Sequence, residues 1–176
     1  LTEEKLLPAD TADMIREAYG MAGDHSDELL HRDGDDDFSF SLSGTGRFRV
    51  NLFRQRGSMA AVVRVIRFGL PTAEEAHILP EVMRAAQMKK GIVLVTGSAG
   101  SGKSTTLACI INEINRTRTG HILTLEDPVE YIHRHDKCIV SQREIGCDCP
   151  SYVAALRSAL RESPDVILLG EMRDKE

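Results

Sequence analysis

The spacing of apolar residues changes period along the chain. Met14, Ile15, Ala18 and Tyr19 fall at helical spacing within Thr11 to Ala22, where Asp10 or Thr11 can cap the start, so a short amphipathic helix is predicted. The run Asp33, Asp35, Asp36, Asp37 reads next as a solvated loop. Beyond it the period becomes two. Phe38, Phe40 and Leu42 alternate with serines, Gly44-Thr45-Gly46 supplies a turn, and Phe48, Val50 and Leu52 alternate with Arg47, Arg49 and Asn51. This pattern predicts a β-hairpin with one apolar face. Gly57-Ser58 ends it, and Met59 to Arg67, rich in valine and carrying Arg64, predicts a third strand of a small antiparallel sheet.

Gly69-Leu70-Pro71-Thr72 is turn chemistry and marks an expected boundary between a domain at 1–70 and a second at 71–176. A short helix is predicted over Ala73 to Leu79 and another from Pro80 to before Gly91. Gly91 to Thr96, His121 to Leu125, Lys137 to Val140 and Asp165 to Leu169 are continuous apolar runs, as expected of strands covered on both faces. Helical stretches separate several of them: Lys103 to Arg116, and Ser151 to Arg161 with Val153, Leu156 and Leu160 on one side. Strands alternating with helices predict an α/β domain built on a parallel sheet.

Bulk composition narrows the function class. A chain that is 41% hydrophobic and 28% charged is globular rather than disordered. Its net charge of −5 provides no general basic field for nucleic acid, and five phenylalanines, three tyrosines and no tryptophan offer few stacking platforms, so no nucleic-acid partner is expected. No apolar run approaches the roughly 20 residues of a bilayer span. Cys109, Cys138, Cys147 and Cys149 form no C-x-x-C pair and read as reduced thiols of a cytosolic protein. The chain begins at Leu1 and stops at Glu176, just after a strand-like run, and both ends look cut.

One segment carries specific chemistry. Gly97-Ser98-Ala99-Gly100-Ser101-Gly102-Lys103-Ser104 matches G-x-x-x-x-G-K-[ST] between a predicted strand and a predicted helix. The bare pattern arises by chance on the order of once in a hundred chains of this length, and the flanking elements make coincidence rarer still. Glycines let main-chain N–H groups close around phosphate oxygens, and the helix N-terminus adds favourable partial charge. Lys103 can reach the β and γ phosphates and Ser104 can ligate magnesium, so ATP and Mg2+ are the expected ligands, with Thr105 completing the binding set.

Hydrolysis also needs a group that orients water. Glu126-Asp127-Pro128-Val129-Glu130 follows one apolar run and Glu171 follows another, which puts both acidic clusters at strand C-termini, the ligand edge of an open α/β sheet. Gly170 stands where an aspartate usually ends the magnesium-site strand. Asp165 cannot replace it, because the strand between them is roughly 17 Å long at about 3.3 Å per residue. Glu171 is therefore the expected water-orienting base and Glu126 a second carboxylate near magnesium or the water, with Asp127 and Glu130 as alternatives to Glu126. Arg49 and Arg64, read alone, are strand arginines. His121, His133 and His135 read as surface or strand-end residues.

With these residues placed, the sequence resembles the secretion-motor ATPases of type II secretion and type IV pili, nearest the twitching-motility retraction type. The stretches that carry the resemblance are Gly46 to Asn51, Thr96 to Thr106, Ile122 to Tyr131, Ser141 to Ile145, and Ala155 to Arg161 running into Asp165 to Asp174. The glycine before Glu171 is what that family shows. The resemblance implies a RecA-like core after a PAS-like α+β domain, a ring of six identical subunits, and a place at the cytoplasmic face of the inner membrane beside the pilus platform protein. It implies that Glu126 belongs to an acidic box aiding hydrolysis, that Glu171 is the catalytic glutamate, and that Arg49 and Arg64 reach the γ-phosphate. The family's histidine-containing box and C-terminal helical domain lie outside this sequence, so the segment alone is expected to have little activity.

Overall fold

In the computed structural model, residues 5–23, 25–67 and 69–172 are described. The chain forms two compact units, Leu1–Phe68 and Gly69–Glu176.

In the first unit α1 (Pro8–Met21) and α2 (Glu28–Asp33) precede β1 (Asp35–Leu42), β2 (Gly46–Gln55) and β3 (Ser58–Arg67), an antiparallel sheet in that order. Alternation sends Phe38, Val50 and Leu52 to one face, where they meet Ile15 of α1 and Leu30 of α2. The aspartate run differs from expectation. Asp33 ends α2, Gly34 caps it at φ 80°, and Asp35 to Asp37 open β1. Asp36 is buried because Tyr19 Oη donates to it at 2.8 Å and His25 Nε2 lies 3.0 Å from the same oxygen, a paired rather than solvated carboxylate. At the start of α1 the main-chain N–H of Leu7 donates to Asp10 at 2.8 Å, so Asp10 caps from inside the first turn.

The second unit contains α3 (Pro80–Met83) with a 3-10 turn over Arg84–Gln87, then α4 (Lys103–Thr117), β4 (Gly120–Glu126), β5 (Cys138–Glu144), α5 (Tyr152–Glu162) and β6 (Val166–Leu169). The strands form a parallel sheet in the order β5-β4-β6. Thr124 sits opposite both Gln142 and Leu168, so these residues share one face with Ile122 and Glu126. That face packs on Ile110, Ile111 and Ile114 of α4. Leu123 and Leu125 point the other way, onto Ala155 and Ala159 of α5. Buried Asn115 accepts the Cys138 N–H at 3.2 Å and donates to the Arg134 carbonyl at 2.7 Å, tying the start of β5 to α4.

Several expectations fail in this unit. Ala73 to Leu79 is a turn, and the helix from Pro80 shortens to one α turn followed by a 3-10 turn. Leu160 is 81% exposed, because α5 lays the small side chains Ala155 and Ala159 on the sheet instead. Ile139 and Ile167 remain exposed, since α5 leaves part of its face of the sheet uncovered. Ile92 to Thr96 forms no strand, and Ile92 and Leu94 are 83% and 66% exposed. A strand exists only through a ladder, and among the described residues β4, β5 and β6 pair only with one another.

Candidate functional site

The loop from Gly97 to Gly102 reaches α4 through backbone that glycine permits: Gly100 and Gly102 have φ of 74° and 89°, and Gly102 is the N-cap of α4. The first turn of α4 therefore points its free N–H groups into the loop. Lys103 Nζ donates to the Ser98 carbonyl at 2.8 Å, which holds the ammonium over the loop. Thr105 Oγ1 lies 2.9 Å from Tyr131 Oη and fastens α4 to the segment after the acidic cluster.

Ala99, Gly100, Lys103 and Ser104 line one cleft with Glu126, Asp127, Glu130, Tyr131, His133, Gly170 and Glu171. Its volume of about 290 Å³ lies near the lower limit of ligand clefts, which run from roughly 300 to 1,000 Å³. A larger hollow of about 990 Å³ near His77, Pro80 and Arg118 gathers none of the predicted site residues. The smaller cleft is the better candidate because it concentrates a lysine, a loop of main-chain donors and several carboxylates.

Glu126 ends β4 and is 8% exposed. Thr124 Oγ1 donates to its Oε1 at 2.7 Å and Gln142 Nε2 at 3.2 Å, while the Glu130 N–H lies 3.4 Å from Oε2. Burial pushes this carboxyl above its ordinary range, against those three donors, which favour the charged form. Glu171 follows β6 and is half-buried. Between them lies the reason for Gly170: its N–H donates to the Leu125 carbonyl at 2.8 Å, and a Cβ there would stand 3.2 Å from Glu126 Cα. A side chain at that position would require the Glu126 main chain to shift by a few tenths of an ångström.

His133 corrects the sequence reading. It is 8% exposed, its Nδ1 is sealed with no hydrogen-bond partner, and burial pushes its pKa down to about 4. Folding thus favours neutral imidazole. Stability from this group is intact above the ordinary histidine pKa near 6.5, and about 3 kcal/mol of it is lost as the pH falls from there to about 4. His133→Phe is expected to flatten the fall in melting temperature over that interval, and parallel curves for variant and parent would remove the assignment. His121 begins β4 with its ring between the Glu162 carbonyl and Ser141, and the exposed His135 accepts the Val140 N–H.

Arg49 and Arg64 lie in the first unit, directly opposite each other on β2 and β3. Arg49 Nε is 3.7 Å from Asp37 Oδ1. Like charges placed opposite in a sheet cost stability, and Asp37 beside Arg49 offsets part of that cost. The sequence assigns no site role to Gln142, Thr124, Tyr131 or His133, although the first three lie within the resembling stretches; Tyr131 and His133 line the cleft, and Thr124 and Gln142 bond Glu126. Period-two alternation from Val140 and Ile122 puts Gln142 and Thr124 on the cleft's face, whereas Tyr131 and His133 come from a loop without a periodic signal. Arg173 and Asp174, which end the last resembling stretch, lie outside the described residues.

The family described as type II/IV secretion system protein matches residues 47–176. The type IV pilus ATPase PilU of Pseudomonas aeruginosa is 41% identical over 177 residues, covering 100% of this chain and 45% of that protein. The type IV pilus retractation ATPase PilT of the same organism is 51% identical over 140 residues, or 80% of this chain and 41% of its own length. A crystal structure of the pilus retraction motor PilT with bound ADP superposes with a TM-score of 0.85 at 47% identity, covering 93% of this chain and 48% of that one. The chain thus spans less than half the length of each of these relatives. The family match takes in the glycine loop and both acids, and the chain belongs to the type II/IV secretion system protein family.

Proposed function

We propose that this chain is the nucleotide-binding and nucleotide-hydrolysing part of a motor subunit that works in a six-membered ring and powers type IV pilus retraction. The observation that carries the reading is the shared cleft of Lys103, Ser104, Glu126 and Glu171. The relatives named as type IV pilus ATPases and the ADP-bound PilT structure support ATP as the ligand.

In this reading the amides from Gly97 to Gly102 and the first turn of α4 cradle the phosphates, joined by Ser98, Ala99, Ser101 and Thr105. Lys103 turns from the Ser98 carbonyl to the β and γ phosphates. Glu171 orients a water for attack on the γ-phosphorus, so that a new P–O bond forms as the bond to ADP breaks. Glu126 supports that water from the end of the neighbouring strand, β4. Arg49 and Arg64 neutralise charge on the transferred phosphoryl group, and reaching a phosphate offsets the cost of their placement opposite each other. The Ser104 hydroxyl on the cleft wall suits magnesium, a hard ion that prefers oxygen ligands, takes few from the protein and shares phosphate oxygens. When bound, magnesium neutralises charge between the β and γ phosphates. The segment alone hydrolyses little ATP, because the apolar residues leading into the loop lie exposed and unpaired.

The proposed whole protein is cytoplasmic, lies peripherally at the inner membrane and meets the pilus platform protein there. A strain lacking the gene is expected to keep surface pili and lose twitching. Loss of the pili themselves would shift the reading to the assembly or secretion members, a class that the relatives named type II secretion system protein E represent.

A further inference from the structure

Gln142 lies in the middle of β5, opposite Thr124, and its side-chain amide is used in full. Nε2 donates to Glu126 Oε1 at 3.2 Å and to the Tyr131 carbonyl at 2.9 Å, while Oε1 accepts the His133 N–H at 2.7 Å. The amide therefore bridges the main chain of Tyr131 and His133 as a strand would and uses its second N–H on the carboxylate. Its orientation is fixed by chemistry. A flipped amide would set oxygen against the Tyr131 carbonyl and the Glu126 carboxylate, and NH2 against the His133 N–H, three repulsive contacts in place of three bonds. Glutamate at this position would keep the acceptor for His133 and lose both donors.

Thr124 adds a donor to the same Glu126 oxygen at 2.7 Å. Glu126 is thereby gripped from its own strand and from the neighbouring one. Beside the direct bond from the Glu130 N–H, the Gln142 contact ties the carboxylate to the main chain of Tyr131 and His133, and Tyr131 bonds Thr105 on α4.

We propose that Gln142 is a positioning residue, holding the Glu126 carboxylate in register with the phosphate loop through the main chain of Tyr131 and His133. The proposal rests on the reading that Glu126 serves hydrolysis.

The test uses the full-length protein and four variants: Gln142→Met, Gln142→Glu, Glu126→Gln, and Glu126→Gln combined with Gln142→Met. Gln142→Met and Gln142→Glu are each expected to lower kcat about tenfold, the scale of a misplaced catalytic group, with KM and affinity for a non-hydrolysable ATP analogue within about twofold. In the Glu126→Gln background, Gln142→Met is expected to change kcat by less than about twofold, because a residue acting through Glu126 has nothing left to position. If Gln142→Met does not fold by thermal melting, Gln142→Glu replaces it in both backgrounds. Unchanged kcat in the single variants, a rise in KM alone, or losses that multiply in the double variant would each overturn the proposal while leaving the role of Glu126 intact. Glu126→Gln at full turnover would overturn the role of Glu126 and the proposal with it.

Discussion

Lys103→Ala in the full-length protein is expected to weaken ATP binding about 100-fold or more while leaving the melting temperature nearly unchanged. The ammonium is the one cation lining the cleft among the described residues, against the carboxylates of Glu126, Asp127, Glu130 and Glu171. Removing one partner of a desolvated charge contact costs roughly 2–5 kcal/mol, most of it felt by a triphosphate left beside uncompensated acids. The fold loses much less. Lys103 gives up one hydrogen bond, to the Ser98 carbonyl, worth about 1 kcal/mol. Titration with a fluorescent ATP analogue, paired with a thermal melt, separates the two effects, and affinity within twofold of the parent would remove the lysine from the site.

Glu171→Gln is expected to do the reverse, with nucleotide affinity kept and turnover reduced about 100- to 10,000-fold, the range contributed by a positioned general base. Glutamine preserves the shape of the half-buried side chain after β6 but cannot accept a proton from water. The effect should not be shared by Asp165, which stands at the opposite end of β6 with its carboxylate accepting the His121 N–H at 2.8 Å. Single-turnover hydrolysis measured beside equilibrium binding reads the split directly. Undiminished hydrolysis in Glu171→Gln would transfer the base role to another acid.

The glycine loop and its helix were legible because the chemistry of phosphate binding restricts both residue type and spacing, and α4 begins at Lys103 as that spacing demands. The hairpin was legible through alternation and the third strand through its run of valines, and both match β1, β2 and β3 closely. What failed were inferences that a partner distant in sequence overturned. An apolar run such as Ile92 to Thr96 reports burial potential, but strand formation needs a neighbour's ladder. A row of aspartates reads as solvated until Tyr19 and His25 are seen to cover Asp36. His133 looked like a surface histidine because nothing local reveals that its loop folds beneath Gln142. In α5, Leu156 packs on the core as its spacing suggests, but Leu160 stays exposed because the close approach of helix to sheet selects Ala155 and Ala159.

Gly170 shows where a departure from the usual pattern carried information. Local reading saw only a missing aspartate. The structure shows two strand ends brought so close that a Cβ would meet the Glu126 main chain, which sets the two carboxylates on one cleft.

That shared placement is most directly tested by a structure of the full-length protein with magnesium and a non-hydrolysable ATP analogue. The γ-phosphate is expected within hydrogen-bond reach of Lys103 Nζ, and the Glu171 carboxylate within about 3.2 Å of a water lined up behind that phosphate. A triphosphate seated elsewhere, or one toward which Glu126 and Glu171 both turn their backs, would contradict it.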